Sequence, residues 1–318
     1  LKVSVVENLK EAWRNIEATD LEFVKQETLD FCKNQVLKGA IVEAVDLLEQ
    51  TKYDEIKTIV DAAMKAGSER DLGHDYIISL NDRLTESVRA TLPTPWDSIN
   101  GVMDGGLAGG ELGVLVAPAG IGKTWCLQSL AAHLVKEGKT VVHFTLELNE
   151  AYVGLRYDTV FSGTPTANIK YYQDDVQKTI DKLKGKLIIK YYPTRSASVN
   201  TLAAHLKQME IQEIKPDVVI VDYADILKPT TFYKEKRHAT GETYENLRGM
   251  AGEFDIPVWT ASQANRSALD EDVIEATKVA ESYQKIMTAD FVVSLSRKVE
   301  DKIGNTGRFH VIKNRFGP

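Results

Sequence analysis

Cysteine is scarce in this 318-residue chain. There are two, Cys32 and Cys126, far apart and in no CxxC pair. That excludes a disulfide framework and a zinc-ligand set, and it fits a reducing compartment. Long apolar runs are missing as well: none is of bilayer-spanning length, and the opening residues do not read as a signal peptide. There is no excess of positive charge either. Lys and Arg number 39 against 46 Asp and Glu, a formal net charge of −7. The chain as a whole is therefore not drawn to nucleic acid, and such binding needs a locally basic surface. Repeats and low-complexity tracts are absent. What remains is globular composition, 43% hydrophobic and 27% charged, enough for a sizeable core. The expectation is a soluble cytoplasmic protein with no membrane partner. The chain opens on Leu1 rather than Met, so a piece of a longer protein is also expected.

Residues 1 to 91 read as a helical segment. Apolar residues recur at helical spacing from Leu21 to Leu48 (Leu21, Val24, Phe31, Ile41, Val45, Leu48). Asp54 is placed to cap a second helix carrying Ile56, Ile59, Val60 and Met64. Leu92-Pro-Thr-Pro95 breaks the helical run, and the pattern changes beyond it. Strands are predicted at Leu112–Val116, Thr140–Leu146, Leu187–Tyr192, Val218–Asp222, Val258–Ser262, Phe291–Ser296 and Arg308–Lys313. Helices are predicted at Thr124–Lys136, Glu150–Phe161, Asp174–Leu183, Thr201–Glu210 and Thr243–Glu253. That alternation predicts an α/β domain over 92–318 with a mainly parallel central sheet. Gly304-Asn-Thr-Gly307 predicts that the last two strands form an antiparallel hairpin.

The strongest chemical signal is Ala117-Pro-Ala-Gly-Ile-Gly-Lys-Thr124, between a strand and an amphipathic helix. It departs from G-x-x-x-x-G-K-[ST] only at Ala117. Pro118, Ala119, Gly120, Ile121 and Gly122 form the loop whose N–H groups cradle phosphates, and Trp125 follows it into the helix. Lys123 supplies charge for the β- and γ-phosphates, and Thr124 offers a hydroxyl to Mg²⁺. Such a site needs a carboxylate for the metal. Val218-Val-Ile-Val-Asp222 ends in one, with Asp225 a weaker candidate. Glu147, closing Val141–Glu147, is placed to polarise the attacking water, and Gln263 to sense the γ-phosphate. Lys313 and Arg315, two residues apart on one side of the last strand, could reach a neighbouring subunit's γ-phosphate. A solvated basic strand edge is the alternative.

Together these motifs resemble the replicative helicases of the DnaB family, most closely those of T-even-type phages. The resemblance covers roughly 92–318. It rests on Leu92-Pro-Thr-Pro-Trp with Gly105-Gly-Leu, Phe144-Thr-Leu-Glu-Leu148, Val221-Asp-Tyr223, Ser262-Gln263 and Val311-Ile-Lys-Asn-Arg-Phe-Gly-Pro318. Tyr191-Tyr-Pro-Thr194 is similar to a phage-type segment, and Ala at the first P-loop position is common in the family. The resemblance implies a RecA-like motor in a hexameric ring, with Glu147 as catalytic base and Lys313 and Arg315 acting in trans. It implies hydrolysis of ATP or another NTP with Mg²⁺, movement on single-stranded DNA, and a primase and a helicase loader as possible partners. Residues 1–91 become the end of an N-terminal domain plus a linker. For DNA contact it points to Lys234, Lys236 and Arg237 in the basic, aromatic-interleaved stretch Lys228–His238, and to Lys278 and Ser282. Ala280 stands where many members have Arg. A mobile solvated loop remains the alternative for the basic stretch. A RecA- or RadA-like DNA-dependent ATPase and a non-motor, ATP-gated assembly module remain alternatives for the whole.

Overall fold

A computed structural model describes residues 21–49, 89–230, 236–265, 271–278 and 284–317, with Ala268 and a few isolated residues between 52 and 77. The chain divides into two compact units, Leu1–Glu86 and Ser87–Pro318. In the first, helix α1 runs Leu21–Glu49, as the periodicity predicts. Several residues of its apolar pattern (Phe31, Ile41, Val45, Leu48) are exposed. Asp54 lies outside the described residues.

The second unit is built on seven strands: β1 Leu112–Ala117, β2 Thr140–Thr145, β3 Lys186–Tyr191, β4 Val218–Asp222, β5 Val258–Gln263, β6 Phe291–Ser296 and β7 Arg308–Asn314. Their spatial order is β3-β2-β4-β5-β1-β6-β7. All neighbours pair in parallel except β6 and β7. The helices are α2 Asp97–Val102, α3 Lys123–Lys136, α4 Glu150–Ser162, α5 Gln173–Ile180, α6 Val199–Ile211, α7 Lys236–Phe254, α8 Gln284–Thr288 and α9 Val299–Ile303.

The middle strands are apolar throughout because both faces are covered. Every residue of β1, β4 and β6 is buried. One core face packs Val114, Phe144, Val219 and Val221 against Leu202, Leu206, Tyr244 and Leu247 of α6 and α7. The other packs Leu115, Val141, Ile220 and Trp259 against Leu127, Leu130, Leu134 and Tyr157 of α3 and α4. From β1 the chain moves to one side of the sheet through β2 to β5, then crosses to β6 and β7 on the other. The crevice at the carboxyl ends of the strands near that reversal is where such sheets bind ligands.

Before the first strand, Arg89 grips Glu111 with Nε and Nη2 at 3.0 and 2.8 Å and donates to the Met103 and Gly106 carbonyls. Its guanidinium lies 3.7 Å from the centre of the Phe316 ring. Leu92 then bridges Leu107. Gly106 sits at φ +134°, where a Cβ would fall 2.0 Å from the Leu92 carbonyl oxygen, so the bridge needs glycine there.

Three local expectations are corrected. Helix α7 starts at Lys236 rather than Thr243. An interior glycine, Gly241, costs about 1 kcal/mol in helix propensity, which a 19-residue helix packed on the core absorbs. Part of the basic stretch predicted as loop is therefore helical. The β6–β7 connection holds the short helix α9 before its Gly304–Gly307 turn, though the strands pair antiparallel as predicted. Helix α2 carries no sequence signal beyond the preceding prolines.

Candidate functional site

The loops after β1, β2, β4 and β5 converge on one cleft of about 310 Å³, lined by Ala119, Gly120, Gly122, Lys123, Thr124, Trp125, Glu147, Leu148, Arg156, Tyr223 and Gln263. The chain curls into the β1–α3 loop because Gly120 and Gly122 take φ of +77° and +123°, a region open to glycine. Gly122 caps α3, so the loop's amides point where the positive end of the helix dipole favours anions. Pro118 and Ile121 contribute backbone rather than lining. The Pro118 carbonyl accepts from Lys123, and the Ile121 side chain is buried in the core.

Lys123 Nζ donates to the Ala117 and Pro118 carbonyls at 3.1 and 3.2 Å. Burial holds its pKa below the usual lysine value, opposed by Asp222, Asp225 and Glu147. Asp222, the last residue of β4, is almost wholly buried. Its pKa is pushed up to about 6, first by burial and also by Glu147. A hydrogen bond from Thr124 and the charges of Lys123 and Arg156 work in the other direction. One carboxylate oxygen, Oδ1, is buried with no hydrogen-bond partner. A buried carboxylate oxygen left bare, beside a threonine hydroxyl and below a phosphate cradle, is the donor set Mg²⁺ takes when it keeps its waters and phosphate ligands. The residues fit the metal. Among the described residues no cluster of three or more His, Cys, Asp or Glu is placed to hold an ion by itself.

Glu147 is exposed at the mouth of the cleft, two residues past β2. The Tyr223 hydroxyl hydrogen-bonds its carboxylate. Burial, Glu147 and Asp225 together raise the phenol's pKa, so it stays the donor. Gln263, the last residue of β5, lines the opposite wall.

Asp225 does not serve as a metal ligand. Its Oδ1 accepts from Lys285 Nζ and the Tyr244 hydroxyl, both at 2.8 Å. Its Oδ2 accepts from the Ser262 hydroxyl at 3.2 Å and the Gln263 amide at 3.0 Å. Four donors saturate it.

Sequence reasoning missed Arg156, on α4 in the cleft wall. Its guanidinium lies 5.3 Å from the Trp125 ring centre and 5.1 Å from that of Tyr152. Nothing in a helical run marks one arginine as facing a cleft formed by other elements.

Lys313 and Arg315 do not line the cleft. Because β7 is antiparallel, Asn314 lies opposite Phe291, which is level with Gly113 near the start of β1. The four steps from Gly113 to Ala117 span about 13 Å, so these cations sit at the far end of the sheet from the phosphate loop. Lys313 Nζ donates to the Ile286 and Met287 carbonyls. Arg315 Nη1 bonds Asp290 at 2.8 Å, beside Arg248, which grips the same carboxylate.

Of the residues named for nucleic acid, Lys234 and Ser282 lie outside the described residues. Lys236 and Arg237 are described only as backbone in the first turn of α7. Lys278 pairs with Glu271 at 3.2 Å. Among the described residues, no helix is long and apolar enough to cross a membrane.

Comparison with known proteins agrees with this geometry. The DnaB-like replicative helicase of Enterobacteria phage T4 is 28% identical over 276 residues, 82% of this chain and 58% of that protein. A probable plasmid replicative DNA helicase of Chlamydia psittaci is 27% identical over 240 residues, 71% of this chain and 51% of its own length. The chain thus spans about half the length of the curated relatives it matches. A solved DnaB-like replicative helicase, studied with its interactions with primase, superposes with a TM-score of 0.71 at 16% identity, covering 95% of this chain and 76% of that one. A solved ATPase domain superposes at 0.64 and 17% identity, covering 76% and 90%; these two likenesses establish the mostly parallel RecA-like fold. The family model for the DnaB-like helicase C-terminal domain matches residues 91–318, most of the chain and all of the cleft, and the chain belongs to that family.

Proposed function

We propose that this chain is the NTP-hydrolysing motor of a replicative DNA helicase, working as a ring, expected to be hexameric, that draws single-stranded DNA through its centre. The observation that carries the reading is the cleft. It gathers Lys123, Thr124, Glu147 and Gln263 around a phosphate loop, with a buried carboxylate oxygen on Asp222 left bare. In the proposed reaction the oxygen of a water molecule bonds to the γ-phosphorus of ATP or another NTP. The bond to the β,γ-bridging oxygen breaks, and the water's proton passes to Glu147, which Tyr223 orients. Lys123 and the loop amides hold the β- and γ-phosphate charge, and Arg156 adds a second cation to the wall. Thr124 and Asp222 would hold Mg²⁺, which neutralises charge developing on the leaving phosphates. Gln263 reports the presence of the γ-phosphate.

Lys313 and Arg315 serve a neighbour's cleft in this reading, since their own lies at the other end of the sheet. Residues 1–91 form the end of an N-terminal domain and a linker, and 92–318 the motor. Lys234, Lys236, Arg237, Lys278 and Ser282 remain the candidates for DNA contact. A primase and a loader are the expected partners, in the cytoplasm, that of the host if the chain is phage-encoded.

Steady-state ATP hydrolysis with and without single-stranded DNA tests the reading, with Lys123→Ala as the blank. Stimulation by DNA, absent in the variant, is the expected result. Hydrolysis indifferent to DNA in a protein shown to be assembled overturns the motor and favours an ATP-gated scaffold.

A further inference from the structure

The Lys285 ammonium is about as buried as any charge here, its side chain 1% exposed, and it pairs at 2.8 Å with the 11%-exposed side chain of Asp225. It also donates to the Ser262 hydroxyl at 3.1 Å and lies 5.5 Å from the centre of the Tyr244 ring. Such a pair is weak evidence for stability, because well-packed apolar residues of similar volume do as well or better. Its value lies in what it joins. Asp225 holds the backbone amide of Gln263, the last residue of β5 at the cleft wall. Lys285 belongs to α8, whose Ile286 and Met287 carbonyls hold Lys313. Asp290, just past α8, holds Arg315 through its side chain and accepts the Arg315 amide on its own carbonyl. Only the short span from Lys285 to Asp290 therefore lies between the end of β5 and both cations.

We infer that the Asp225–Lys285 pair and α8 form a rigid tie. It links the γ-phosphate-facing wall of one subunit's cleft to the cations that the same subunit presents to its neighbour. This rests on the proposed trans role of Lys313 and Arg315. When the end of β5 shifts with the state of the γ-phosphate, Asp225 carries Lys285 with it, and α8 carries the carbonyls that aim Lys313. Hydrolysis in one subunit then sets the readiness of the next. Asp225 and Lys285 are positioning residues that touch no phosphate.

Lys285→Met removes the tie and leaves Asp225 with three donors. Asp225→Asn alone strands a buried ammonium, so the second variant is the double Asp225→Asn/Lys285→Met, which removes both charges. On the assembled chain, both variants are expected to bind a non-hydrolysable ATP analogue within about twofold of wild type. Their kcat is expected to fall about tenfold and the Hill coefficient for ATP to drop toward one, within the range of ordinary inter-site coupling. A lowered melting temperature with unchanged kcat and Hill coefficient in the assembled variants overturns the tie, as a merely structural pair gives that result. Arg315→Ala, run alongside, separates the two levels. If it leaves hydrolysis by the assembled wild-type background intact, the trans reading fails and the tie fails with it.

Discussion

Asp222→Asn is expected to make the protein more stable while abolishing its hydrolysis. The carboxyl's pKa rises from 3.8 to about 6, roughly two units, and at 1.36 kcal/mol per unit the buried charge costs about 3 kcal/mol. The sign follows from proton linkage. The folded state binds the proton more tightly than the unfolded chain, so between about pH 4 and 6 the unfolding free energy falls as pH rises. The whole cost is present above about pH 6 and disappears well below pH 4. Asparagine keeps the shape and an oxygen acceptor for Thr124 but carries no charge. Without divalent metal at pH 7.5, the variant should melt roughly 5 to 10 °C above wild type. By pH 4.5 the gap should shrink to about a third, because the folded Asp222 is then largely protonated and the buried charge is gone. Adding Mg²⁺ with an ATP analogue closes most of the gap. Wild type gains about 2.7 kcal/mol at a hundredfold excess over its Kd, and the variant, lacking the charged ligand, gains little. Melting curves at both pH values, with and without the ligands, check the whole scheme. An Asp222→Asn protein no more stable than wild type at pH 7.5 would refute the claim that this carboxylate is held at a cost.

Other outcomes can be checked at once. Arg315→Ala leaves Asp290 paired with Arg248 and the Leu112 amide, so it should fold and bind nucleotide normally. Hydrolysis by the assembled protein should fall about a thousandfold, and a variant that loses nucleotide binding instead contradicts the trans role. Gln128 is wholly buried on α3 with neither amide atom partnered; Gln128→Met should raise stability by about 1–3 kcal/mol in urea titrations, and no gain means the amide has a partner. Burial pushes the Cys126 thiol up to about 11, so at pH 8 about one in a thousand is thiolate. Iodoacetamide followed by mass spectrometry should label exposed Cys32 first, and equal labelling would disprove the burial argument.

The predicted strands recur in the structure with ends moved by a residue or so, and the reason is physical. Val218-Val-Ile-Val is apolar on both faces because helices cover both sides of a parallel sheet, and that leaves an unmistakable run in the chain. Helix ends were harder to read where local and tertiary preferences conflict. Gly241 argues for a break, while the packing of α7 on the core carries the helix through to Lys236.

The sequence alone determined the nucleotide chemistry. A phosphate cradle is a local object, and eight consecutive residues from Ala117 to Thr124 specify its turn, its charge and its helix dipole. The strand-end position of Asp222 likewise follows from an apolar run, Val218-Val-Ile-Val, that ends in one polar residue. Tertiary structure alone decided which carboxylate is free. Asp222 and Asp225 look interchangeable in Asp222-Tyr-Ala-Asp225, yet one keeps a bare oxygen and the other is saturated by donors from α7, β5 and α8. The entry of Arg156 into the cleft was likewise invisible, as was the removal of Lys313 and Arg315 to the far end of the sheet. Those facts depend on which elements are neighbours and which way the last strand runs, and contacts between residues distant in sequence leave no local pattern to read.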